Sequence, residues 1–199
     1  MSCASKSLRA PPCARTVAGQ EPDLAYPSLA QLLRRAGVAH GAANLLDMQE
    51  LFRRMVFNIL IDNTDDHEKN HALRVVAPPR QGKYRLAPAC DVLPTNSGQG
   101  YQEFVVGTAQ RESTLSNAMS QCELFGFTPR QAAAEVVRVI KVVNGWRERF
   151  AACGVADAEL ESLAERLDGN PLLVQRQTFN PAHYAASGQA PRRRSPLAR

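Results

Sequence analysis

Residues 57–70 read Phe57-Asn58-Ile59-Leu60-Ile61-Asp62-Asn63-Thr64-Asp65-Asp66-His67-Glu68-Lys69-Asn70, and a change of pattern inside this stretch decides how the chain is read. Upstream of it, Leu45, Met48, Phe52, Met55, Val56 and Ile59 recur at helical spacing. That stripe predicts a helix from about Asn44 to Asp62, with Gln49, Arg53 and Asn58 off its apolar face. At Asn63 the stripe gives way to polar residues. Downstream, residues 71–76 and 83–86 are β-prone runs on either side of Ala77-Pro78-Pro79-Arg80-Gln81-Gly82, which predicts a β-hairpin with a long loop. The hairpin delivers the chain to Asp91, in Leu86-Ala87-Pro88-Ala89-Cys90-Asp91-Val92, and Pro88 and Pro94 keep that segment out of a helix.

A long buried helix, a polar loop with Asp65 and Asn70 five apart, a hairpin and then a second aspartate is the order of parts in a phosphoryl-transfer site of the protein-kinase kind. One carboxylate must accept or orient the proton of the attacking hydroxyl. An amide oxygen a few residues on can hold a metal ion, and a second carboxylate can bridge that ion to nucleotide phosphates. Two hard oxygen ligands leave room for water and phosphate oxygens, which suits the octahedral preference of Mg²⁺. Asp-x4-Asn alone is a weak signal, because capping and turn formation are the commoner uses of both residues. The helix, the hairpin and Asp91 in sequence give it weight.

The stretch FNILIDNTDDHEKN (57–70) resembles the FNxLIGNTDxHxKN block of HipA-like toxin kinases, and YRLAPACDVLPT (84–95) resembles that family's YxLAPxYDLLPT block. Val106-Gly107 with Arg111, residues 122–126 and residues 138–146 follow the same family's C-terminal helices. The likeness covers about residues 24–152. It implies a mainly α (α+β) fold, a protein-kinase-like C-lobe in which a small β-hairpin carries the metal-binding aspartate. It implies a serine/threonine protein kinase that moves the ATP γ-phosphate to a protein, as the toxin of a type II toxin–antitoxin system. Asp65 is then the catalytic base, Asn70 and Asp91 the Mg²⁺ ligands, and His67 a contact to the nucleotide phosphates. Lys69 helps stabilise charge near the transferred group, and Cys90 stands on the nucleotide-facing surface where the family usually has Tyr. Asp62 replaces the glycine of LIGN and brings a negative charge close to the site. The partners implied are a protein substrate such as a translation component and an antitoxin of HipB type.

A kinase of this type builds half of its ATP site from an N-terminal lobe with a phosphate-covering loop and a lysine. Only about 40 residues precede the predicted catalytic helix, and Val17-Ala18-Gly19-Gln20 has one glycine and no lysine beside it. The expectation is a C-lobe alone, either a truncated or split kinase that needs a separate N-lobe chain, or a catalytically inactive remnant that binds a partner. A rival chemistry is also written here. His67-Glu68-Lys69-Asn70-His71 matches HExxH, in which two histidines one helical turn apart hold zinc and the glutamate activates water. That reading needs the motif inside a helix and a third ligand, for which Glu103 is the one conceivable candidate.

The remaining sequence sets the frame. Ser28 caps a predicted helix to Ala36, and residues 114–124 form a short amphipathic run stopped near Gly126. Thr128-Pro129-Arg130-Gln131 is a capping box opening a helix to about Cys153, and Asp157 caps another to about Leu167. A strand is conceivable at residues 103–106. Residues 1–22 lack periodicity, one domain is expected over 24–168, and 169–199 reads as a basic disordered tail. Of 24 basic residues, seven (Lys6, Arg9, Arg15, Arg192, Arg193, Arg194, Arg199) lie near the two ends, leaving 17 against 19 acidic residues in the body. The formal charge of +5 is therefore a property of the ends, and no specific nucleic-acid surface is expected. Five scattered cysteines without a CxxC pair suit free thiols in a reducing compartment, and no apolar run reaches membrane-spanning length, so the chain reads as cytoplasmic.

Overall fold

The computed structural model describes residues 25–76, 83–95 and 98–185. Its axis is the helix that the apolar stripe predicts. We number the helices α1 Tyr26–Ala36, α2 Ala43–Leu60, α3 Leu115–Met119, α4 Pro129–Asn144, α5 Trp146–Ala152, α6 Asp157–Leu167 and α7 Asn170–Thr178, and the strands β1 Leu73–Val75 and β2 Tyr84–Leu86. The described residues are mainly helical with one small antiparallel sheet, as expected. Helices α1 and α4 both pack on α2, which buries Met48, Leu51, Phe52, Met55, Val56 and Ile59 between them. Phe52 sits at the centre, edge-on to Phe125 and Phe127 at ring distances of 5.4 and 5.3 Å.

Local sequence explains where most elements start and stop. Helix α1 opens on Tyr26-Pro27, with proline in the first turn, where a missing N–H costs nothing, so Ser28 lies inside the helix and does not cap it. It ends at Gly37, where a Cβ would meet the Leu33 carbonyl oxygen at 2.3 Å. The capping box of α4 forms as read: the Gln131 N–H donates to Thr128 Oγ1 at 3.3 Å and the Thr128 N–H to Gln131 Oε1 at 2.9 Å. The expected run 114–124 is two pieces, α3 and a 3-10 turn Cys122–Phe125, closed by Gly126 at φ +82°. The expected helix from 128 to 153 also breaks in two. Gly145 interrupts it and gives α5 a separate start, which fits the poor helix propensity of glycine. Residues 103–106 make no strand; Val105 forms an isolated parallel bridge with Ala25.

The expected tail needs the largest correction. Residues 1–22 and 186–199 lie outside the described residues, but from 170 to 184 the chain is helical rather than disordered. Arg176 is buried and donates to the Leu167 carbonyl oxygen at 2.6 Å and to the Asp168 carboxylate, which also accepts from Trp146 Nε1 at 3.2 Å. Phe179 and Tyr184 stack and pack against the core. Proline at the start and a glutamine- and arginine-rich composition hide this helix from an apolar-period reading, because its anchor is a buried arginine.

The hairpin pairs Leu73 with Leu86 and Val75 with Tyr84; its loop lies outside the described residues. It is fastened to α2 by Asp47, a buried carboxylate that accepts from Arg85 Nε at 2.7 Å, Arg85 Nη2 at 3.0 Å and the Leu86 N–H at 3.0 Å. Asp47→Ala removes three bonds and strands a buried N–H. The expected loss is about 2 kcal/mol in urea unfolding, since Arg85 itself can turn to water.

Candidate functional site

Helix α2 delivers the site. Beyond Leu60 the chain turns at Asp62, which sits at φ +56°. Aspartate tolerates this left-handed conformation better than most residues, and a glycine adopts it freely. That accounts for Asp62 standing where the LIGN pattern has glycine. Its carboxylate accepts the Gly98 N–H at 3.3 Å, so the extra charge is spent on the neighbouring loop. Asn63 and Thr64 then run buried, Asp65 emerges exposed, and Asp66 goes back into the core. Residues Glu68–Asn70 close the loop as a 3-10 turn.

The loop and the segment after β2 are sewn together at several points. The Thr95 N–H and hydroxyl both donate to the Asp62 carbonyl oxygen, at 3.0 and 2.6 Å. Thr64 and Thr95 hydroxyl oxygens lie 2.7 Å apart. Asn63 Nδ2 donates to the Asp91 carbonyl oxygen at 3.3 Å, and Cys90 Sγ donates to the Asn70 carbonyl oxygen at 3.1 Å. Asp65 with Asn70, and Asp91 with Cys90, are therefore held side by side although the hairpin separates them in sequence.

Each expected site residue has a definite place. Asp65 and Asp91 are exposed and carry free-facing carboxylates, Asp91 on a left-handed turn at φ +54°. Asn70 is buried; its amide nitrogen faces the Asp65 carbonyl oxygen at 3.4 Å, so its oxygen is the end available as a ligand. One amide oxygen and one carboxylate are hard donors that leave most positions of an octahedral ion to water and phosphate, so these residues fit Mg²⁺. His67 is half-buried, with Nδ1 buried and unpartnered within the described residues. Lys69 is exposed, and Cys90 is an exposed residue whose thiol hydrogen is given to the Asn70 carbonyl oxygen. The HExxH reading does not find its geometry. The motif lies on a 3-10 turn ending in an extended His71, whose Nε2 is 3.1 Å from Asp66, and Glu103 pairs with Arg111 at 3.2 Å. Among the described residues no group of three or more His, Cys, Asp and Glu side chains is placed to hold a metal.

The sequence reading missed the buried half of the site. Asp66 is 2% exposed, hydrogen-bonded by the Tyr26 hydroxyl and by His71, with Phe104 stacked on the His71 ring at 5.1 Å. Burial works to raise the Asp66 carboxyl, but its bonds from His71, Tyr26 and Asn58 outweigh that and hold it below the ordinary carboxylate range. Burial foremost, and then the Asp66 charge, push the Tyr26 hydroxyl well above the usual phenol range. A carboxylate depressed in the folded state stabilises the fold above its unfolded value, and that stability is lost as pH falls through the folded value. Asp66→Asn is thus expected to flatten the acid limb of a stability–pH profile below about pH 4, measured by thermal unfolding. Asn58, read from sequence as off the apolar face, is in fact buried at 3% exposure and faces Tyr26; the signal that could have found it is its spacing of seven residues, two helical turns, from the buried Leu51.

A cleft of about 680 Å³ opens between α2 and α4 beside this segment, floored by Phe57, Val92 and Val139. Its arginines are already matched: Arg53 to Glu50 and Glu135, Arg54 to Glu50, Arg138 to Glu135. Among the described residues no helix is long and apolar enough to cross a membrane.

Comparison with known proteins gives one family. A family model described as HipA-like C-terminal domain matches residues 12–146, more than half of the chain. No curated protein and no solved structure matches.

Proposed function

The chain belongs to the HipA-like C-terminal domain family, and on that premise we propose that it supplies the catalytic and metal-binding wall of a serine/threonine protein kinase, as the toxin of a type II toxin–antitoxin system. The observation that carries this reading is the set of bonds that sews the Asp65–Asn70 loop to the Asp91 segment. Phosphoryl transfer is mostly positioning and charge stabilisation, so a site for it must hold a base and its metal ligands in fixed relation.

In this reading Asp65 accepts or orients the proton of the attacking serine or threonine hydroxyl. Its exposure leaves it open to a protein acceptor. Asn70 through its amide oxygen and Asp91 through its carboxylate hold Mg²⁺, which supplies charge neutralisation for the transferred phosphate. His67 contacts the nucleotide phosphates, Lys69 adds positive charge at the rim, and Cys90 lines the nucleotide side. The partners are a protein substrate such as a translation component and an antitoxin of HipB type. An inactive, partner-binding lobe is the second reading, favoured by the departure at Cys90.

Calorimetry with ATP and Mg²⁺ tests the proposal on the purified chain beside Asp91→Ala. Binding by the parent chain that weakens at least tenfold (about 1.4 kcal/mol) in the variant supports it. A parent chain that binds no Mg²⁺·ATP contradicts nucleotide handling by this chain alone and favours the partner-binding reading.

A further inference from the structure

The buried cluster around Asp66 does not stop at His71. The Tyr26 hydroxyl donates to Asp66 Oδ2 and accepts from Asn58 Nδ2 at 3.0 Å; Asn58 Oδ1 in turn accepts from Asn63 Nδ2 at 3.2 Å. The second proton of Asn63 Nδ2 goes to the Asp91 carbonyl oxygen at 3.3 Å. The bonds run head to tail, Asn63 to Asn58 to Tyr26, and end on a carboxylate. In such a chain each bond polarises the next, and the charged end strengthens the series. Tyr26, Asn58, Asn63 and Asp66 are each no more than 3% exposed, so water does not compete for these bonds. Both protons of Asn63 are used inside the protein, which leaves it none with which to hold a ligand.

The far end of this chain is the Asp91 peptide, on a left-handed turn that a residue other than glycine enters at a cost. Among the described hydrogen bonds, the one from Asn63 is what anchors the Asp91 carbonyl. Loss of that anchor frees the Asp91–Val92 peptide to turn, and removes a bond that ties the backbone bearing the Asp91 carboxylate to the Asp65–Asn70 loop. We propose that Asn63, backed by Asn58 and Tyr26, is a positioning residue that sets the placement of the Asp91 carboxylate relative to the Asp65–Asn70 loop. This rests on the reading of Asn70 and Asp91 as metal ligands. It adds that their relation is fixed from the first turn of α1 through three buried side chains that touch neither metal nor nucleotide.

The test uses the whole chain and two near-isosteric variants. Asn63→Asp turns the donor into an oxygen facing two oxygens, and Tyr26→Phe removes one hydroxyl two residues further along the chain. Leu172→Ala, a buried residue outside the network, serves as a control for general destabilisation. The Val92 amide shares a peptide group with the Asp91 carbonyl, so its ¹H and ¹⁵N shifts read that bond directly. The expected result is that both network variants move the Val92 resonance, Asn63→Asp further than Tyr26→Phe, while Leu172→Ala does not. Mn²⁺ affinity is expected to fall by roughly ten- to a hundredfold in Asn63→Asp, as for other partners that orient metal ligands, and to stay within twofold in Leu172→Ala. A Val92 resonance unmoved by both network variants, or Mn²⁺ weakened equally by the control, overturns the proposal. A parent chain that binds no Mn²⁺ while Val92 still responds overturns the metal reading and leaves the positioning network standing.

Discussion

Replacing Asp65 with asparagine is expected to leave Mg²⁺·ATP affinity within about twofold of the parent and to slow γ-phosphoryl transfer by roughly 10²–10⁴-fold, the usual worth of a positioned base. The two effects separate because Asp65 is exposed and makes no side-chain hydrogen bond in the described structure, while on the proposed reading Asn70 and Asp91 carry the ligand atoms. Asparagine keeps the size of the side chain and its hydrogen-bond reach but cannot take a proton. The Asp65 carbonyl, which faces Asn70, is untouched by the change. A transfer assay with labelled ATP, run beside calorimetry, reads both quantities. Loss of nucleotide binding in this variant would instead place Asp65 among the ligands.

Phe52→Ala is expected to cost about 3–5 kcal/mol, as for other fully buried aromatic truncations. A small domain commonly has about 5–15 kcal/mol in all, so the variant keeps little reserve. Phe52 is 0% exposed and makes edge-on contacts with Phe125 and Phe127 from the segment before α4. Its removal leaves a hole that neither α2 nor the following segment can fill without moving the other. The C-terminal end of α2 feeds the Asp65 loop, so Mn²⁺ binding is expected to fade at a lower urea concentration than in the parent. Leu46→Ala, on the same helix but 55% exposed, provides the contrast. It should shift the urea midpoint by no more than about 0.5 kcal/mol in equivalent free energy. Equal effects from the two changes would contradict the placement of the core around Phe52.

The parts of this molecule that sequence discloses are those governed by short-range rules. The capping box at Thr128 and Gln131 is local chemistry, and it forms where it is written. The α2 stripe follows from the apolar period of a helix and the hairpin from two β-prone runs either side of a proline-containing loop, and the two blocks at 57–70 and 84–95 carried a family likeness that the match over residues 12–146 bears out. What the sequence withheld depends on long-range polar contacts. Nothing near Tyr26 announces that its hydroxyl meets Asp66, 40 residues later, and nothing near Arg176 announces a buried bond to Leu167. Buried polar groups look like surface residues to any reading based on hydrophobic period. Asp66 was further masked by Asp65 beside it, since the two adjacent carboxylates face opposite ways, one to solvent and one to the core. The break at Gly145 and the helix beginning at Asn170 were hidden for a related reason: Trp146, Asp168 and Arg176 secure that corner through hydrogen bonds rather than through an apolar stripe.

The central claim is that Asn70 and Asp91 hold a divalent ion beside Asp65. A crystal of the chain grown with Mn²⁺ and a non-hydrolysable ATP analogue, read by anomalous scattering, locates the ion directly. The account predicts one peak between the Asn70 amide oxygen and the Asp91 carboxylate, with phosphate oxygens and water completing the shell. A peak on His67 or His71, or none within reach of Asp91, would contradict it.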